Sequence, residues 1–157
     1  MLKMNIWYIF KIEVVLVEAK EYTCCFFGHR KINETIELVE RLTKTIESLI
    51  TDRGIDAFLF GSKSQFDDLC YKIVTDLKEK HPHIKRIYVR SAFQHIPDWY
   101  EDSLLEYYEV TYFPDHMGNV GKASYVERNQ EMINKSDYCV VYYDENYAPP
   151  RRRNSRW

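Results

Sequence analysis

Tyr22–Lys31 reads YTCCFFGHRK: a β-favouring, mostly apolar run that stops at Gly28-His29-Arg30, with a helix-like pattern beginning at Asn33. A short apolar run bounded by glycine reads as a buried strand of a parallel sheet. A strand that ends in glycine before a helix brings close backbone approach and unpaired N–H groups to one spot. Such a spot suits an anion, above all a phosphate, and His29 and Arg30 add donors to it. The plainer reading is a tight strand-to-helix turn with solvated polar residues, because one glycine is a weaker signal than a full phosphate-binding fingerprint.

Downstream, the chain repeats the same grammar. Ile36, Val39, Thr43, Ile46 and Ile50 recur at helical spacing, with Asn33 as a cap and Gly54 past the end. DAFLFG is a second apolar run, stopped by Gly61, and Ser64-x-x-Asp67 opens a helix in the manner of a capping box. That helix carries the clearest apolar face in the chain, Phe66, Leu69, Cys70, Ile73, Val74 and Leu77. Asp67 in its first turn is expected to point toward the strand ends and stay partly exposed. KRIYVR is a third strand, placed near the sheet edge by its charged flanks. Pro97-Asp98 opens a shorter helix, EVTYF is a fourth strand ended by Pro114, and a loop with Gly118 and Gly121 leads to a helix over about 123–135. DYCVVYYD is the fifth strand.

Strands alternating with helices predict an α/β, Rossmann-like three-layer fold with right-handed crossovers and a mostly parallel sheet of about five strands. Ligands of such sheets bind at the carboxyl ends of the strands, near the point where strand order reverses. Gly28, Gly61 and Asp144 all fall there.

The bulk properties bound the rest. At 157 residues the chain makes one domain, and a formal charge of −2 gives no whole-molecule attraction to nucleic acid or membranes. The four cysteines, Cys24, Cys25, Cys70 and Cys139, form no C-x-x-C pair and read as small buried residues of a reducing compartment. His81 and His83 flank Pro82 and read as loop residues; no metal or cofactor is expected. The apolar start IWYIFKIEVVLV is too short and too charged to span a bilayer and has no cleavage site after it, so a cytoplasmic location is expected. Residues 1–20 are either an extra strand or a loosely attached extension, residues 21–145 the domain proper. Residues 146–157, with Pro149-Pro150 and four arginines, are a basic tail that reads as a disordered end, or as a contact to nucleic-acid phosphates.

Three blocks together resemble the SLOG superfamily, the Rossmann-like group that includes YpsA-like proteins, DprA-like proteins and lysine decarboxylase-like phosphoribohydrolases. They are CCFFGHRK, FLFGSKSQFDDL and YVERNQEMINKSDYCVVYYD, in that order and spacing between about Thr23 and Asp144. The YpsA-like branch of unknown function is the most similar. The resemblance implies a site for a nucleotide or nucleotide-derived ligand, lined by Gly28, His29 and Arg30 from the first turn, Gly61, Ser62 and Asp67 from the second, and Arg128 and Asn129 from the last helix. Arginine forks match phosphate bidentately, and Asp67 could accept from a ribose hydroxyl or a base. Arg128 could instead pair with Glu127 or Glu131 on the helix surface.

The chain departs from the family after the last strand, where members carry a Gly-Thr-type loop and a helix. Here no glycine follows Gly121. The expectation is a copy truncated at its C-terminus that lacks the final helix and binds nucleotides poorly. One face of YCVVYYD would then be bare unless residues 1–20 or a second subunit cover it. The functional expectation is a ligand-binding or sensing domain, more in keeping with the residues than an enzyme. The alternatives are cleavage of the N-glycosidic bond of a nucleoside monophosphate, DprA-like nucleic-acid binding, and an inactive fragment.

Overall fold

The computed structural model describes residues 10–16, 22–61, 63–115, 117 and 124–147. Its elements run β1 (Phe10–Leu16), β2 (Thr23–Phe27), α1 (Ile36–Arg53), β3 (Ala57–Phe60), α2 (Gln65–Lys80), β4 (Lys85–Val89), α3 (Asp98–Leu105), β5 (Val110–Tyr112), α4 (Ser124–Asn134) and β6 (Tyr138–Asp144). One sheet in the order β1-β6-β2-β3-β4-β5 holds them together. Five strands are parallel, and β1 joins β6 antiparallel, from Phe10 opposite Asp144 to Leu16 opposite Tyr138. This is the α/β Rossmann-like arrangement that the sequence predicts. Of the two readings of residues 1–20, residues 10–16 follow the first and form an edge strand. The tail beyond Tyr147, like Ser62, Gly118 and Gly121, lies outside the described residues. No helix among those described is long and apolar enough to cross a membrane.

The strand alternation sorts side chains between two unequal cores. Cys24, Phe26, Phe58, Phe60, Val140 and Tyr142 meet α1 and α2 in the larger one. Phe26 stacks on both Phe58 and Phe60, with ring centres 5.9 and 5.3 Å apart. Cys25, Leu59, Val89 and Cys139 meet Met132 of α4 in the smaller one. The four cysteines are free and buried. Their packing is that of small apolar residues. The chain moves outward through β2, β3, β4 and β5 with α1 and α2 on one face, then returns under the other face through α4 to β6. Right-handed crossovers require this switch of face when the direction reverses. Reciprocal bonds clamp the starts of the two switch-point strands: Thr23 N–H donates to Asp137 Oδ2 (2.9 Å) and Asp137 N–H to Thr23 O (2.8 Å).

Two readings of detail are corrected. Helix α1 is capped by Thr35, whose side chain accepts from Leu38 N–H, and not by Asn33. Its buried stripe is Leu38, Leu42, Thr45, Ile46, Leu49 and Ile50, so Ile36 is exposed and Val39 only half-buried. The expected stripe and the buried one share Ile46 and Ile50, and the sheet selects the one that runs through Leu38, Leu42 and Leu49. The six-residue face read for α2 is buried throughout. The bareness expected at β6 is confined: Val140, Tyr142 and Cys139 are buried, and exposure is reached only at Tyr143.

Strand β4 lies one in from the edge, and an ion-pair cluster fastens β5 outside it. Arg86 grips Glu109 through Nε (3.1 Å) and Nη2 (3.0 Å), its own N–H adds a third bond (2.9 Å), and Lys78 Nζ stands 3.0 Å away. Burial alone would push Glu109 up; the Arg86 fork, the Arg86 N–H and Lys78 overcome it and hold the carboxyl at about 2. A carboxylate depressed from its ordinary 4.5 stabilises the fold above that value and ceases to as pH falls toward about 2. Glu109→Gln should therefore destabilise the protein by about 1.5–3 kcal/mol at neutral pH and flatten the acid limb, in urea melts between about pH 2 and 7. An unchanged acid limb would mean that the cluster carries no stability.

Candidate functional site

A cleft of about 450 Å³ opens over the carboxyl ends of β2 and β3. Its described lining is Phe27, Gly28 and Arg30 from the end of β2, Lys63 and Ser64 from the approach to α2, and Tyr125, Arg128 and Asn129 from the first turns of α4. Because α2 and α4 pack on opposite faces of the sheet, the cleft bridges its carboxyl edge, beside the switch point between β2 and β6.

Gly28 and Gly61 are glycines for packing reasons. A Cβ on Gly28 would lie 2.4–2.8 Å from three atoms of Phe66, so the start of α2 presses directly on the end of β2. A Cβ on Gly61 would lie 2.8 Å from Val89 O and 3.0–3.1 Å from Arg128 Cδ and Nε. The missing side chain at Gly61 is the passage through which Arg128 crosses the end of β3.

Arg128 is the centre of the site. It is 3 % exposed, so it does not lie on the helix surface, and among the described residues it makes no ion pair with Glu127 or Glu131. Its donors go to neutral acceptors. Nη1 donates to Gly61 O, Nε and Nη2 lean on Asn129 Oδ1 at 3.4 and 3.3 Å, and the guanidinium carbon stands 5.4 Å from the centre of the Tyr125 ring. Burial pulls its affinity for the proton down, against Tyr88, Asp67 and Tyr125. A guanidinium still keeps its charge at any ordinary pH.

Asp67, expected to be partly exposed, is 4 % exposed. It does not line the cleft; it is buried against Gly61, whose N–H donates to it, and its Oδ1 has no partner among the described residues. Burial, helped by Asp68, pushes its carboxyl up to about 8 against the pull of the Gly61 N–H and Arg128.

His29 serves the end of β6. Its Nε2 accepts the Asp144 N–H (3.0 Å) and its ring stacks on Tyr147 at 3.9 Å. Arg30 and Lys63 are exposed at the mouth, and no described residue pairs with either side chain. The first-turn amides of α2 are largely spent inside the protein: Gln65 N–H on Arg30 O (2.9 Å) and Asp67 N–H on Ser64 Oγ (3.0 Å). With α1 beginning only at Ile36, eight residues past Gly28, the charged donors that line the cleft are the side chains of Arg30, Lys63 and Arg128. The lining also includes Phe27, Lys63 and Tyr125, which sequence reasoning passed over. Tyr125 stands three residues before Arg128, a spacing that puts both on one helix face and was the available signal.

A family model described as the YspA SLOG family (YpsA) matches residues 18–152. The chain belongs to that family. It is 24 % identical over 138 residues to a UPF0398 protein of Halalkalibacterium halodurans, covering 84 % of this chain and 72 % of that one. It is 28 % identical over 125 residues to an uncharacterized SPbeta prophage-derived protein, YoqJ, of Bacillus subtilis, covering 69 % of this chain and 73 % of the relative.

Proposed function

We propose that this SLOG-family chain binds a phosphate-bearing, nucleotide-derived small molecule in the cleft, as a ligand-binding or sensing domain. The observation that carries the reading is Arg128, a buried cation given only neutral partners. An isolated buried charge costs several kcal/mol, and an anion in the cleft would repay that cost. Arg30 and Lys63 extend the positive lining to the mouth, while Phe27 and Tyr125 offer ring faces to a planar base. Gly28, Gly61 and Asp67 act by shaping and tuning the site, Asn129 by holding the Arg128 guanidinium, and His29 by fixing the neighbouring strand end.

The test is a thermal-shift screen of nucleoside mono- and diphosphates, followed by calorimetric titration of any that stabilise the protein. Arg30→Ala should weaken binding by about 1.5–3 kcal/mol, the range for a hydrogen bond to a charged group, and leave the melting temperature of the empty protein in place. Equal affinity of variant and parent would remove Arg30 from the site. Absence of any shift with every nucleotide would remove the proposal. Incubation with nucleoside monophosphates and assay for free base separates binding from glycosidic cleavage.

A further inference from the structure

Arg128 and Asp67 are the two buried charged residues on either side of Gly61, and they are not joined. Arg128 spends its donors on Gly61 O and Asn129 Oδ1, while Asp67 takes the Gly61 N–H on one side and leaves Oδ1 buried, with no partner among the described residues. The groups that act on or with Asp67 are Asp68 and Cys70 from its own helix, Cys25 from β2, Tyr88 from β4, Tyr108 beyond α3, and Arg128 from α4. Arg128 is the one cation in that set. A single positive charge thus faces two claimants: the carboxylate behind it and whatever anion enters in front.

We infer that an anion bound at Arg128 and a negative charge on Asp67 exclude one another, so that the cleft takes up a proton together with its ligand. This rests on the anion-binding reading above. In the empty cleft an ionised Asp67 leans on the Arg128 charge across Gly61. Once an anion shares that charge, the buried carboxylate loses its compensation, and it takes a proton from solvent to become the neutral acid. The position of the empty-site titration, about 8, sets the window. Below it Asp67 is already neutral and the ligand finds Arg128 free. Above it each bound anion must carry in one proton, so affinity falls by up to about tenfold per pH unit. The cleft is in this sense a proton-linked receptor, with a binding strength that responds to alkalinity around the cellular range.

The experiment uses adenosine 5′-monophosphate, whose second phosphate ionisation near about 6 is complete across the alkaline range tested. Titration of the whole chain and of Asp67→Asn from about pH 7 to 9.5 should show affinity falling for the parent and a flat profile for the variant, which keeps the acceptor for Gly61 N–H. The ratio of the two proteins' affinities at each pH isolates the contribution of Asp67. Calorimetry of the parent near pH 9 in two buffers of different ionisation enthalpy needs no variant. It should report uptake of close to one proton per bound nucleotide. Identical pH profiles for parent and variant, or binding without proton uptake at that pH, overturn the inference and leave the anion site standing. Failure of the nucleotide and of inorganic phosphate to bind either protein at any pH overturns both.

Discussion

Arg128→Met should abolish nucleotide binding while leaving the protein folded. Methionine keeps most of the length and apolar bulk that passes over Gly61 but removes the charge and every donor. Two charge-assisted hydrogen bonds to a phosphate, each worth about 1.5–3 kcal/mol, correspond to a loss of roughly a hundredfold to twenty-thousandfold in affinity. The stability side runs the other way. Arg128 is a buried cation without an ionic partner among the described residues, so deleting its charge relieves desolvation and offsets the lost bond to Gly61 O. A structural arginine would behave oppositely: the variant would unfold at lower denaturant, and any remaining folded protein would bind as before. Paired urea melts and nucleotide titrations of parent and variant separate the two outcomes. Arg128→Lys should fall between them in affinity, since it keeps the charge and loses the fork.

Phe66→Ala should cost about 3–5 kcal/mol, the range for emptying a buried aromatic site. Phe66 is fully buried, stacks on Tyr142 with ring centres 5.3 Å apart, and occupies the space that a side chain on Gly28 would need. Gly28→Ala in the parent should cost about 1–3 kcal/mol through overpacking. In the Phe66→Ala background that cost should shrink or reverse, because the added methyl meets a cavity instead of a ring. A double-mutant cycle in urea should therefore give a coupling of about 0.5–3 kcal/mol. Additive costs would show that Gly28 is glycine for some reason other than Phe66. The pair matters beyond stability, since it sets how closely α2 approaches β2 and hence where Ser64 and Arg30 stand at the cleft.

The order of elements was legible because local signals agreed at each step. Apolar runs ended in glycine at Gly28 and Gly61, Ser64 capped α2, and Gly54 closed α1 in the left-handed conformation at φ 70°. Alternation of strands and helices then left few topologies. Register on α1 was less legible, because Ile36 and Val39 are as apolar as Leu38 and Leu42 and only the position of the sheet decides which stripe it covers. The fate of the N-terminal apolar run was undecided for a related reason. Its pairing partner, β6, is at the far end of the chain, and nothing local states that the two meet antiparallel.

By itself, then, the sequence determined the class of fold, which follows from periodicity, capping and turn chemistry that each segment carries alone, and three motif blocks in order pointed to the family. Tertiary structure decided what the residues at the carboxyl ends of the strands do. Gly28 and Gly61 hold space for Phe66 and Arg128, His29 turns to the end of β6, and Asp67 is buried behind an arginine supplied by the other face. Burial and charge compensation depend on which groups converge from distant segments, and the free energy of a buried charge is set by those neighbours, which no local window of sequence contains.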